Sequence, residues 1–169
     1  MAENRGKKFE DAIKTAFSKF PNVSVDRLLD PQAGYAGIRN ICDFIIYKKP
    51  YEIYMECKSL YGNTLNFKGM ITENQWNGLQ QKAEIDGVIA GVMIWFIDHG
   101  TTAFVPITEL VRLEGAGAKS LNIKDIQNDM VSYIPLEGKK KRVFFEYDPS
   151  SFFKTLYYLE GGGSHKWLK

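Results

Sequence analysis

The chain has 169 residues, of which 44% are hydrophobic and 14% aromatic, and its formal net charge at pH 7 is +2. This composition excludes a disordered or strongly basic protein and favours one domain with a buried core, so affinity for nucleic acid would have to come from local clusters of charge. Two cysteines, two histidines and no secretory or membrane-spanning stretch predict a reduced, cytoplasmic protein without a His-rich metal centre or a Ser-His-Asp triad.

The predicted elements begin with an amphipathic helix over residues 5–19, which ends before Pro21 because apolar side chains recur at helical spacing up to that point. Those side chains are Phe9, Ile13, Phe17 and Phe20. Residues 22–41 read mostly as a loop. The remaining predicted elements are strands over 42–47 and 52–58, a helix over 72–81, strands over 87–97 and 101–105, a short helix over 106–113, a strand over 143–147 and a helix over 149–159.

The strand pair over residues 42–58 carries the most informative cluster of charged side chains. Residues 48–51 contain a Pro and predict the connecting turn. If the hairpin is symmetric about this turn, Asp43 lies opposite Glu56, with Cβ atoms about 4.5–5.5 Å apart. Lys58 follows Glu56 by two residues and therefore projects from the same face. Met55 and Cys57 point the other way, toward a core. A slip of one residue in this register would move Asp43 to the other face.

Two carboxylates with few other ligands are typical of a site for a hard cation, which predicts Mg²⁺, with Mn²⁺ as a substitute. We expect Asp43 and Glu56 to be metal ligands and the Cys57 carbonyl to be a third. The cation would polarise a phosphate and acidify a water, and Lys58 would orient that water or stabilise developing charge. The alternative is an ordinary hairpin with a Glu-x-Lys on its surface.

Asp43, Glu56, Cys57 and Lys58 resemble the PD-(D/E)xK nuclease signature, with Cys42 in place of the Pro. Three further features are similar, in their order and spacing, to RecU-type Holliday-junction resolvases. These features are the opening NRGKKFE at residues 4–10, a Gln-containing helix followed by an apolar strand, and GAKSL at residues 117–121. The likeness covers roughly residues 4–125.

The resemblance implies a restriction-endonuclease-like α/β fold, in which helices flank a mixed central β-sheet. It implies a single nuclease domain over residues 1–160, followed by a flexible tail over residues 161–169. It also implies Mg²⁺-dependent cleavage of branched DNA at four-way junctions in recombination and repair. Resolving a junction requires two symmetric cuts, so a homodimer is expected.

Two accessory residues have alternative interpretations. Glu10 borders the apolar stripe of the first helix, where it either reaches the metal centre, as the resemblance implies, or is solvated. Gln75 follows Thr72 by three residues, which predicts a capping box. In nucleases with this fold a Gln on this helix helps to position the attacking water, and this is the second interpretation of Gln75.

Basic and aromatic residues near the cluster are predicted to contact DNA through its phosphates or by stacking on a base. They are Arg5, Lys7, Lys8, Tyr35 and Arg39. The basic run over residues 139–142 is either a further phosphate contact or a solvated face.

Two other functions remain open at this point. One is a nuclease of the same fold with another DNA target, such as a repair or restriction enzyme. The other is a catalytically silent DNA-binding module. Residues 39–42 read Arg-Asn-Ile-Cys, where the resolvases have a Thr-rich run, whereas the complete Asp, Glu and Lys set favours catalysis.

Overall fold

The computed structural model describes residues 4–29, 39–142 and 145–161, and the side chains up to residue 159. The strands in these ranges are β1 (Ser24–Arg27), β2 (Phe44–Lys48), β3 (Tyr51–Leu60), β4 (Thr64–Asn66), β5 (Val88–Phe96), β6 (Thr101–Pro106), β7 (Ser120–Asn122), β8 (Ile134–Pro135), β9 (Glu137–Lys140) and β10 (Phe145–Asp148). The helices are α1 (Arg5–Lys19), α2 (Phe67–Met70), α3 (Glu73–Ala83), α4 (Ile107–Gly115), α5 (Ile123–Gln127) and α6 (Pro149–Gly161), and a 3-10 turn, Ile97–His99, follows β5.

The central sheet has six strands in the order β1-β2-β3-β5-β6-β8. Strands β3 and β5 are parallel, and the other neighbours are antiparallel. The sequence of β5, VIAGVMIWF, is an almost continuous apolar run and is buried along nearly its whole length, as a strand covered on both faces requires. This architecture confirms the predicted α/β class with a mixed central sheet flanked by helices.

Two hydrophobic layers hold the helices against the sheet. Helices α1 and α6 cover one face, where Ile13 and Phe17 of α1 pack with Phe152 of α6. Helices α3 and α4 cover the other face through Leu79 and Leu110. Burying one such side chain contributes about 1.5–3 kcal/mol, so each helix is fixed by a few apolar contacts at helical spacing. None of the described helices has the length and apolar content that a membrane span requires.

The β2–β3 hairpin adopts the predicted register. Phe44 pairs with Met55 and Ile45 with Tyr54, and the turn contains the cis Lys49–Pro50 peptide. Met55 is fully buried on the α1 side of the sheet. Asp43 lies one residue before the start of β2, and its backbone N–H donates to the Met55 carbonyl at 3.1 Å.

The segment over residues 22–41, predicted mostly as loop, contains the edge strand β1, which pairs antiparallel with β2. Its four residues, SVDR, are short and polar and give almost no strand signal. Near the end of the chain, the predicted strand over 143–147 corresponds to β10, which pairs with β9; residues 143–144 lie outside the described residues. The closing helix ends at Gly161, and the predicted tail beyond it lies outside the described residues.

Candidate active site

The Glu56 carboxylate is the centre of the candidate site. Strand β3 holds it on the α3 side of the sheet, where it is only 3% exposed. Its Oε1 lies 2.7 Å from Lys58 Nζ and accepts a hydrogen bond from Gln75 Nε2 at 2.6 Å. Its Oε2 is buried and has no hydrogen-bond partner among the described residues. The predicted Glu-x-Lys pair therefore meets on one face of β3.

Asp43 reaches the same point from the start of β2. Its Oδ2 accepts a hydrogen bond from the Cys57 backbone N–H at 2.8 Å, and its negative charge acts on the neighbouring Glu56 carboxyl group. The N–H and C=O of one strand residue point to the same side of the strand. The Cys57 carbonyl therefore points to the Asp43 side, while its side chain is buried on the α1 side.

Burial, the largest cause, and the negative charge of Asp43 together raise the pKa of Glu56 to about 7, against the opposing effect of Lys58. Two carboxyl groups in contact present acceptors to each other, so one proton or one cation between them is needed to satisfy both. This explains why a buried Glu56 Oε2 lacks a donor.

The residues present fit a small, hard cation. Asp43 and Glu56 provide carboxylate oxygens, and Cys57 offers a carbonyl on the same side. Mg²⁺ binds through one or two carboxylates, with substrate phosphates and waters completing its octahedron, and Mn²⁺ accepts the same oxygen ligands. Among the described residues no group of three or more His, Cys, Asp or Glu side chains is arranged to hold a metal ion, so the protein would supply two acidic ligands.

Gln75 forms the predicted capping box and also contacts Glu56 with the same side chain. Its Oε1 accepts from the Thr72 backbone N–H at 3.0 Å, and the Thr72 hydroxyl accepts from the Gln75 N–H at 3.2 Å. This capping box begins α3 and confirms the first interpretation. The Gln75 Nε2 group is left to hold Glu56, whereas its role in positioning water stays a prediction.

Helix α3 also fixes the segment that leads into Asp43. Asn74 Nδ2 donates to the carbonyls of Arg39 and Asn40, both at 3.2 Å. A Cβ atom on Gly78 would come within 2.3 Å of Ile41 Cγ2, so only glycine lets this segment pack on the helix in its present position. Sequence reasoning missed Asn74 and Gly78, although a glycine inside a helix costs about 1 kcal/mol and signals a close approach.

Glu10 lies on the other side of the sheet edge, held by Arg27 of β1. The Arg27 Nη2 group pairs with Glu10 Oε2, and Nη1 pairs with Asp11 Oδ1 at 2.7 Å. Burial raises the pKa of Glu10, the charge of Asp43 adds to the increase, and Arg27 opposes it. Glu10 is thus close enough to Asp43 to sense its charge. Sequence reasoning missed Arg27, which it placed in a loop.

Four of the five residues predicted to bind DNA are among the described residues. Arg5, Lys7 and Lys8 occupy the first turns of α1, and the Arg5 guanidinium lies 5.1 Å from the centre of the Tyr61 ring. Arg39 is exposed beside the segment that enters the site. Tyr35 lies outside the described residues. The DNA contacts of these side chains stay predictions.

No protein-family model and no curated protein matches the chain. Among solved structures, it is similar to the 1.6 Å structure of Archaeoglobus fulgidus Hjc, a Holliday junction resolvase from an archaeal hyperthermophile. The two are 14% identical, the match covers 88% of this chain and 93% of that chain, and the TM-score is 0.47. This likeness concerns the fold alone and carries no argument about activity.

Proposed function

We propose that the chain is a Mg²⁺-dependent endonuclease of the PD-(D/E)xK type that resolves Holliday junctions in DNA recombination and repair. The observation that carries the proposal is the carboxyl pair formed by the buried Glu56 and the partly buried Asp43. Glu56 is tied to Lys58 and Gln75 through one oxygen, its other oxygen has no hydrogen-bond partner among the described residues, and the charge of Asp43 raises its pKa. A purely structural hairpin has no need of two carboxyl groups placed side by side, since like charges directly opposite each other on neighbouring strands are destabilising.

Each side chain has a defined task in the proposed reaction. Asp43 and Glu56 would hold the cation, with the Cys57 carbonyl as a third ligand. When bound, the cation would polarise the scissile phosphate and lower the pKa of a water. The Lys58 ammonium would orient the attacking water or stabilise charge on the phosphate oxygens. Gln75 fixes the Glu56 carboxylate in one orientation, and Glu10 would act as an accessory acid beside Asp43.

Binding of branched DNA would use cations on α1 and in the segment that leads into Asp43. Arg5, Lys7, Lys8 and Arg39 would contact phosphates, which position the substrate without reading its sequence. Two symmetric cuts across a four-way junction would require a homodimer. The resemblance of residues 4–125 to RecU-type resolvases supports this finer assignment.

The test is cleavage of three substrates, a four-way junction, a flap and a linear duplex, by the parent protein in Mg²⁺, in Mn²⁺ and in EDTA. We expect cleavage of the junction in either metal and none in EDTA. Asp43→Asn should lower the rate by about a hundredfold or more. Asp26→Asn is the matched control, because Asp26 is an exposed residue of the neighbouring edge strand, and it should cut at the parental rate.

Other results would select the alternatives. Equal cutting of the linear duplex would overturn the resolvase assignment in favour of a nuclease with another DNA target. A parent protein that binds DNA but shows no metal-dependent cleavage would be a catalytically silent DNA-binding module.

A further inference from the structure

A groove runs between α1 and the β9–β10 hairpin. It has two lobes of about 560 and 930 Å³, which share part of their lining. The α1 residues that line it include Lys8 and Ala12, whereas Glu10 is not among them. The groove therefore follows a different side of α1 from the side that faces the candidate active site.

The lining of the groove is strongly basic for a chain with a net charge of only +2. Its basic residues are Arg5, Lys8, Lys19, Lys140, Lys141 and Arg142. Each of the three acidic residues of the lining has a partner, which for Glu146 is a basic residue of the groove itself. Glu146 pairs with Lys141 at 2.9 Å, Asp11 pairs with Arg27 at 2.7 Å, and Asp98 accepts from the Gly62 N–H at 2.6 Å.

Aromatic rings form the floor between these cations. Trp95 packs edge-on against Phe145 with 5.6 Å between ring centres, and Phe145 stacks on Tyr147 at 5.8 Å and 16°. Trp95 and Phe145 are only partly buried, so their rings keep accessible surface in the groove. Trp95 pairs in register with Ser59, the residue after Lys58, which places the floor near the end of the strand that carries the site.

We propose that this groove binds an unpaired strand of DNA, with the phosphates held by the cations and one or more bases stacked on Trp95 or Phe145. The inference rests on the proposed nuclease function and names the part of the substrate that the groove takes. Cationic walls with an aromatic floor are the combination that single-strand binding requires.

An intact duplex does not fit this chemistry equally well. Its bases are stacked on each other and paired, so it offers phosphates to the cations but no free base face to the rings. An unpaired strand offers both. Arg5 lines the groove, and its guanidinium also lies over the ring of Tyr61, the residue that follows β3. A DNA strand freed at a branch point could therefore run from the groove to the β-strand that carries the site.

The test is fluorescence anisotropy with a labelled oligo-thymidylate of about 12 nucleotides, measured in EDTA so that binding is read without cleavage. The main variant combines Lys141→Gln with Arg142→Gln. The matched control combines Lys119→Gln with Lys124→Gln, two exposed lysines that do not line the groove. Circular dichroism checks that each variant is folded, and a duplex of equal length is titrated in parallel.

We expect the groove variant to bind the single strand about tenfold more weakly than the parent. The slope of its log affinity against log salt concentration should become shallower by about 1.4, because each of the two lost phosphate contacts accounts for about 0.7 on a single strand. The control should match the parent. Phe145→Leu, which removes a ring but keeps the apolar contact, should weaken single-strand binding by about fivefold or more and leave duplex binding unchanged.

Two results would overturn the inference. One is a folded groove variant with the parental affinity and salt slope. The other is that the protein binds single strand and duplex with equal affinity and that Phe145→Leu changes neither affinity. That pattern is typical of a nonspecific basic surface. Junction cleavage in Mg²⁺ is scored separately. If the protein binds the single strand through the groove but does not cleave junctions, the proposed nuclease function is refuted and the groove proposal is not. If it cleaves junctions but does not bind the strand through the groove, only the groove proposal is refuted.

Discussion

Replacing Glu56 with Gln is expected to stabilise the metal-free protein above pH 7 and to change its stability little at pH 4.5. Burial and the charge of Asp43 raise the pKa of Glu56 from its ordinary 4.5 to about 7. The folded state therefore favours the protonated carboxyl group. Protonation of Glu56 therefore makes its full contribution to the free energy of unfolding below pH 4.5, and this contribution is lost as the pH rises to about 7.

The magnitude follows from that pKa. Each pKa unit is worth about 1.4 kcal/mol, so the ionised Glu56 costs about 3 kcal/mol relative to the neutral side chain. Gln is a neutral side chain of the same shape. Its oxygen can accept from Gln75, and its amide nitrogen can donate to the Asp43 carboxylate. The attraction of Lys58 is already contained in the pKa, because Lys58 opposes the increase.

The assay is urea unfolding in EDTA from pH 4.5 to pH 8.5, with the parent, Glu56→Gln and Glu52→Gln. Glu52→Gln removes the same charge from a partly exposed position on the same strand and should show no comparable dependence on pH. The difference between Glu56→Gln and the parent should grow from near zero to about 3 kcal/mol. Added Mg²⁺ at pH 8 should then raise the melting temperature of the parent but not that of Glu56→Gln, because ligands stabilise the state that binds them.

A difference between Glu56→Gln and the parent that stays constant across this pH range would refute the reasoning. Glu56 would then have an ordinary pKa, and the two carboxyl groups would not be in contact in solution. Equal stabilisation of both proteins by Mg²⁺ would separately refute Glu56 as a ligand.

Three further predictions concern the residues that support the site. Gly78→Ala should destabilise the protein by about 1–3 kcal/mol because its methyl group overlaps Ile41, and adding Ile41→Ala should recover most of the loss in urea unfolding. Thr72→Ala should cost about 1 kcal/mol through the lost cap while leaving the cleavage rate intact. Gln75→Ala should lower both the stability and the cleavage rate. Equal cleavage by Thr72→Ala and Gln75→Ala would show that Gln75 has no part in the reaction. Arg27→Gln should lower stability by about 1 kcal/mol. It should also shift the pH profile of cleavage to higher pH, because Arg27 opposes the increase in the pKa of Glu10. An unshifted profile would show that Glu10 has no part in the reaction.

The hairpin could be predicted from the sequence because every signal for it is local. A Pro-containing turn sets the pairing of residues 42–58, and the two-residue period of a strand then puts Glu56 and Lys58 on one face. The capping box that begins α3 is equally local, since its two residues are three positions apart. These short-range rules predicted the two carboxylates and the lysine without any knowledge of the rest of the fold.

The supporting residues could not be predicted in this way because their partners are distant in the chain. Arg27 reaches a carboxylate 17 residues away, and Asn74 reaches carbonyls 34 and 35 residues away. The polar edge strand that carries Arg27 has no hydrophobic alternation to reveal it. The basic run over residues 139–142 has no distinct meaning in the sequence alone. In the fold, the β9–β10 hairpin lies beside α1, so this charged segment contributes to one wall of the groove.

The cost of an ionised Glu56 persists only because the backbone prevents the two carboxyl groups from separating. Strand β5 and Gln75 confine Glu56, while the Cys57 N–H confines Asp43 and α3 holds the segment before it. If either carboxylate were free to turn into solvent, the pKa of Glu56 would return toward 4.5 and the cost would vanish. The raised pKa and the rigid framework are therefore linked, and a cation bound to both carboxylates would offset the cost of ionising Glu56. Loosening α3 should lower the pKa of Glu56 and weaken metal binding together, which distinguishes a preorganised cation site from two acidic residues that happen to be neighbours.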